Sequence, residues 1–153
     1  MQRGDILLYS SSGAVDLLVR LATASTFDHV AIALGDGTML EALPGGVRVS
    51  PVRYGVLWMS GAGWNASAQA VMDASVGKPY GWLNDLAAAF GVGTVDKGEV
   101  ECAQLANSVL RAMGVKTAGN TPQDVFWAVA QRGGDIRYLE QDDAESTGSQ
   151  AES

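Results

Sequence analysis

"FDHVAIALGDGTMLEA", residues 27–42, holds the only histidine of the chain and sets a lone carboxylate, Glu41, in an apolar run. Side chains alternate along a strand, so His29, Ala31 and Ala33 share one face and Val30, Ile32 and Leu34 the other. The histidine face is lined by small residues, which lets another backbone approach it closely. Gly35-Asp36-Gly37 predicts a hairpin turn. If those three residues form the loop, Leu34 pairs with Thr38, Ala31 with Glu41 and His29 with Leu43. His29 and Glu41 are then diagonal neighbours on one face, roughly 7–8 Å apart at the backbone. A two-residue loop would put them on opposite faces. The glycines flanking Asp36 suit the three-residue loop, which needs a residue with positive φ.

Outward from the hairpin, the N-terminal "GDILLY", 4–9, reads as a strand. Residues 13–24 have helical apolar spacing, with Ser12 or Gly13 as cap. On the other side, 45–52 is a strand stopped by Pro51, and 53–64 reads as irregular. A helix over 65–76 ends at Gly77, and Lys78-Pro79 makes a turn before a helix around 81–90. "TVDKGEV", 94–100, reads as a polar loop. Residues 101–115 form a strong helix with Gly114 as stop signal. Thr121 as cap and Pro122 at the first position start another helix, and 135–139 is a last strand. These elements fit a single domain over 1–140, with 141–153 as an acidic disordered tail.

The totals limit the function. At 153 residues, with 47% hydrophobic and 18% charged residues, the chain fits one globular domain. Of the net charge of −7, −4 lies in 141–153 and −3 on the rest. No basic stripe points to nucleic acid. No apolar run approaches the ~18–20 residues of a membrane span, so no stable membrane insertion is expected. "MQRGDILLYS" does not read as a signal peptide, which predicts a chain that starts in the cytosol. One cysteine allows no internal disulfide. One Cys with one His gives a poor protein-only zinc site, and no metal or cofactor is expected. Asn65-Ala66-Ser67 matches a glycosylation sequon, and the Gly/Lys stretch 91–99 lacks phosphate-loop spacing.

The second chemical signal is Cys102. It heads an apolar stripe with Ala106, Val109, Leu110 and Met113, which places it in the first turn of the 101–115 helix and facing inward. A thiol there feels the positive end of the helix dipole, which favours the thiolate, and the unpaired N–H groups nearby suit an oxyanion. Glu99 and Glu101 oppose this if they lie close. The chemistry that uses these groups is acyl transfer. His29 takes the thiol proton and returns it to the leaving group, and Glu41 holds the imidazole tautomer. Each residue also has a plain structural role: Cys102 as a small core side chain, His29 as a hydrogen-bonded strand end, Glu41 as an edge carboxylate.

Residues 4–52 resemble the opening of circularly permuted NlpC-type hydrolases, which are papain-like cysteine enzymes. The points of likeness are a Gly-Asp strand, a strand beginning with His, a turn, Glu-Ala, and a Gly-Val step. "GKPYGWLNDL" is similar to the family's Gly-x-x-Tyr segment, "ECAQLANSVLRAMG" to its nucleophile helix, and "TPQDV" to its Thr-Pro-x-Asp step. The resemblance spans residues 4–126. It implies a papain-like α+β fold with a central antiparallel sheet, the nucleophile helix packed on it, and the His strand before the Cys helix. It implies Cys102 as nucleophile, His29 as base and Glu41 as orienting group, and it adds the Tyr80 hydroxyl near the oxyanion. Tyr80 equally fits a core or groove tyrosine. Ala103-Gln104 depart from the family's usual Ser and acidic residue after the cysteine, and Gln104 is expected to face away from the site.

Relatives of that type cleave peptide bonds in bacterial cell-wall stems or act on amide and thioester links of lipids. The first expectation is therefore an amidase or peptidase acting on peptides or muropeptides, delivered to the wall by a non-classical route. The second is an acyl hydrolase or acyltransferase on lipid-like substrates. The third is a catalytically idle domain in a larger assembly.

Overall fold

The computed structural model describes residues 1–10, 27–53, 56–61, 63–79 and 98–139. The helices expected at 13–24 and 81–90, Tyr80, and the tail at 141–153 lie outside the described residues. Within them the chain is α+β. The described residues form one six-stranded antiparallel sheet, ordered β4-β3-β2-β1-β5-β6, and three helices. The strands are β1 (Ile6–Tyr9), β2 (His29–Ala33), β3 (Thr38–Leu43), β4 (Gly46–Pro51), β5 (Val56–Met59) and β6 (Ile136–Leu139). The helices are α1 (Ala66–Ser75), α2 (Gly98–Ala112) and α3 (Pro122–Ala130). Among the described residues no helix is long and apolar enough to cross a membrane.

The hairpin takes the three-residue register. Leu34 N–H donates to the Thr38 carbonyl (2.9 Å), and Ile32 and Ala33 face Leu40 and Met39. Gly35 and Gly37 hold φ of 85° and 83°, where a side chain would be strained. Between them the Asp36 carboxylate accepts from the Thr38 N–H (3.0 Å) and from the Thr38 hydroxyl, which pins the turn.

Two apolar layers flank the sheet, as strand alternation requires. Ile6, Leu8, Val30, Ile32, Leu40 and Ala42 point to the helix side and pack with α1, α2 and α3. Leu7, Ala31, Ala33, Met39 and Val56 point to the other side. Of the helices, α2 lies across β2 and β3, and its side chains from Cys102 to Leu110 are all buried. It ends as the sequence signals, in a Schellman motif. Gly114 N–H bonds the Arg111 carbonyl (2.9 Å), Val115 N–H bonds the Leu110 carbonyl (2.8 Å), and Gly114 sits at φ 83°. Thr121 and Asp124 form a capping box at the start of α3, with Pro122 at its first position.

Two expectations need correction. Residues 56–59 form β5 rather than irregular chain, because "VLWM" completes the ladder between β1 and β6. And α2 begins at Gly98, inside the expected polar loop. Cys102 is therefore its fifth residue, past the first turn, where the dipole's effect has largely fallen off.

At the start of β1, Asp5 is a buried structural anchor. Its carboxylate accepts from Trp58 Nε1 (2.9 Å), the Gly61 N–H (3.0 Å) and the Gln2 N–H. Gly61 is fixed by closeness: a Cβ there would run into the Gly4 carbonyl oxygen.

Candidate functional site

The site is built on the first residue of β2 and the middle of β3. His29, the first residue of β2, lies beside Tyr9 of β1, its partner in the ladder, with ring centroids 5.8 Å apart. Its Nε2 is 2.9 Å from Glu41 Oε2. Glu41 is 0% exposed. A charge so buried needs partners to stay ionised, and the chain supplies them. Arg53 reaches Oε1 through Nη1 (3.1 Å) and Oε2 through Nη2 (2.9 Å), a fork that matches the carboxylate. Arg48, opposite Glu41 in the β3–β4 ladder, reaches Oε1 through Nε and Nη2, both at 3.4 Å.

Burial alone would push the Glu41 carboxyl up. Hydrogen bonds from His29, Arg53 and Ser50, with the charge of Arg53, outweigh it and hold the group well below the usual carboxylate range. The bond to Glu41 in turn raises Arg53. An ionised carboxylate can only accept, so Nε2 of His29 carries the hydrogen. In the neutral ring Nδ1 then holds the lone pair and is the basic atom.

Tyr9 braces the cluster. Its hydroxyl donates to the Arg53 carbonyl oxygen (3.0 Å), and the Arg53 guanidinium stacks over its ring at 4.8 Å.

Of the residues expected from sequence, His29 and Glu41 are thus brought together. Cys102 lies on α2, which crosses the same two strands, and it is 2% exposed. It packs in the layer with Val30, Ile32 and Ala42, whereas His29 and Glu41 alternate toward the opposite face. Tyr80 lies outside the described residues. Gln104, expected to face away from the site, is buried, and neither atom of its amide has a hydrogen-bond partner. Among the tryptophans, Trp58 bonds Asp5, Trp64 bonds Gln69 Oε1 (3.1 Å) and Trp127 is exposed. Trp82 is outside the described residues.

Sequence reading did not find Arg48, Arg53 and Tyr9. Arg48 was signalled by the Gly45-Gly46 turn, whose register sets it opposite Glu41. No local signal marks Arg53, which arrives from beyond Pro51. Among the described residues no three His, Cys, Asp or Glu stand together as a metal site. No protein-family model matches the chain, and no curated protein matches it significantly.

Proposed function

We propose that this chain is a cysteine hydrolase, papain-like and of the circularly permuted NlpC type, that cleaves an amide or peptide bond in bacterial cell-wall peptides. The observation that carries the reading is the His29–Glu41 pair: a buried, ionised carboxylate binds Nε2 and leaves Nδ1 as a base of fixed orientation. The helix bearing the chain's single cysteine packs across the two strands that hold this pair. In this reading the thiol and imidazole meet at the rim of the sheet, past the first residue of β2.

The reaction then runs in two halves. Nδ1 of His29 takes the Cys102 proton, and the thiolate adds to the substrate carbonyl. The proton passes to the leaving amine as the C–N bond breaks, and an acyl-enzyme remains. Water, activated by the same nitrogen, releases the acid and restores the thiol. Glu41 holds the ring and offsets the charge of the imidazolium, while Arg53 holds Glu41. Tyr80 is the proposed donor to the oxyanion.

One observation favours a second reading. The near-complete burial of Cys102 within the apolar layer suits a core residue, and the ion cluster would then be structural in an idle domain. Incubation with purified peptidoglycan followed by mass spectrometry separates the two. The hydrolase reading expects new peptide termini with wild type and none with Cys102→Ser. No new termini with either protein supports the idle domain.

A further inference from the structure

The two edges of the sheet are not alike. At one edge β4 is closed. Val47 N–H donates to the Lys78 carbonyl (3.0 Å), the Val47 carbonyl accepts from the Gly77 N–H (2.9 Å), and Pro51 has no N–H to offer. At the other edge β6 is open. Ser60 N–H bonds the Asp135 carbonyl (2.9 Å), and hydrogen-bonded pairs recur at every second residue of an antiparallel ladder. Arg137 and Leu139 therefore turn their main-chain groups to β5. The N–H and C=O groups of Ile136 and Tyr138 point away from the sheet, and no described residue bonds them there. Both side chains are exposed, Ile136 at 45% and Tyr138 at 60%. They lie on the face of Met59 and Leu57, their ladder partners, while Asp135 and Arg137 share the opposite face, joined at 3.6 Å.

We propose that the open edge of β6 is a dimer interface, where β6 of a second copy pairs antiparallel about a two-fold axis at Ile136. A two-fold pairing through the outward groups can centre on Ile136, Arg137 or Tyr138. Centring on Arg137 sets the two arginines against each other. Centring on Tyr138 sets Arg137 against the partner's Leu139. Centring on Ile136 sets Asp135 opposite the partner's Arg137 and Arg137 opposite the partner's Asp135, so charge selects this register. The two Ile136 main chains then exchange a pair of hydrogen bonds, and their side chains meet at the axis with Tyr138 on each flank. The four charges on the other face sum to zero, which makes the contact self-complementary in a chain whose net charge of −7 otherwise repels its copies. The two six-stranded sheets become one continuous sheet. With only four residues in β6 the contact is small, and the dimer is weak and concentration-dependent. It stands apart from the Glu41 cluster, since β1 and β5 lie between β6 and β2.

Sedimentation equilibrium of the full chain, from micromolar to near-millimolar concentration, reads the dimer directly. Wild type is expected to move from the mass of one chain toward that of two, and less so in high salt. Asp135→Arg puts like charges opposite each other at both ends of the contact and should raise the dimer dissociation constant about tenfold or more. Adding Arg137→Asp restores opposite charges in every pair and should bring the constant back to within about threefold of wild type. The Arg137 and Asp135 side chains are 68% and 70% exposed, so both variants keep the fold, which circular dichroism checks. A wild type that stays one chain across this range, a dimer indifferent to Asp135→Arg, or a double variant that fails to recover it overturns the proposal.

Discussion

Glu41 Oε2 accepts from His29 Nε2 at 2.9 Å across the β2–β3 hairpin, and the same oxygen accepts from Arg53 Nη2 at 2.9 Å. One buried oxygen thus joins the candidate base to a cation that comes from outside the hairpin. The carboxylate is therefore both a folding element and the group that orients the imidazole.

The stability of the protein should carry the signature of Glu41 in acid. Its carboxyl sits below the ordinary value of 4.5 in the fold, so the unfolded chain binds its proton first as pH falls. The stabilisation is complete above about pH 5 and is lost as pH drops toward the depressed native value. Glu41→Gln should lower the unfolding free energy at pH 7 by about 2 kcal/mol, since the half-exposed arginines regain water. The gap between wild type and variant should narrow between pH 5 and pH 2 in urea titrations. A gap independent of pH would mean that the charge of Glu41 does not matter.

The Arg53 fork predicts coupling. A double-mutant cycle of Glu41→Gln and Arg53→Gln should give an interaction free energy of about 1 kcal/mol. That value is modest because the Arg53 side chain is 46% exposed and water screens the pair. Arg53→Lys, which keeps charge but not the fork, should recover less than half of it. Additive single effects in urea unfolding would show that the two side chains are adjacent without being coupled.

Asp5 should matter for folding alone. Its carboxylate receives Trp58 Nε1 and the Gly61 N–H in a buried site. Asp5→Ala leaves both donors without their acceptor and should cost about 2–3 kcal/mol by urea unfolding. The rate of Cys102 alkylation at pH 6 should stay within about twofold of wild type while the variant is folded. A selective fall in that rate would place Asp5 in the chemistry.

The hairpin was legible because its signals are local: Gly-Asp-Gly sets the loop, and a period of two sets the faces. The α3 start and the α1 and α2 stops were legible for the same reason, since Thr121, Pro122, Gly77 and Gly114 act on their own turns. β5 was not, because four consecutive apolar residues show no alternation, Val56 and Met59 being buried and Leu57 and Trp58 partly so. Nor was the first turn of α2, where Gly98 and polar neighbours read as a loop. The pairing of His29 with Glu41 could be derived from register. Its dependence on Arg53 could not, since that residue joins the cluster only through the path of the chain after β4.

The meeting of sulfur and imidazole is tested most directly by the pH dependence of Cys102 alkylation by iodoacetamide, in wild type and in His29→Ala. A thiol paired with His29 predicts a wild-type rate that stays high well below the ordinary thiol value of about 8.5. In His29→Ala the inflection should return to about 8.5 or above. Superimposable profiles, both inflecting near the ordinary value, would contradict the proposed site and leave Cys102 as a core residue.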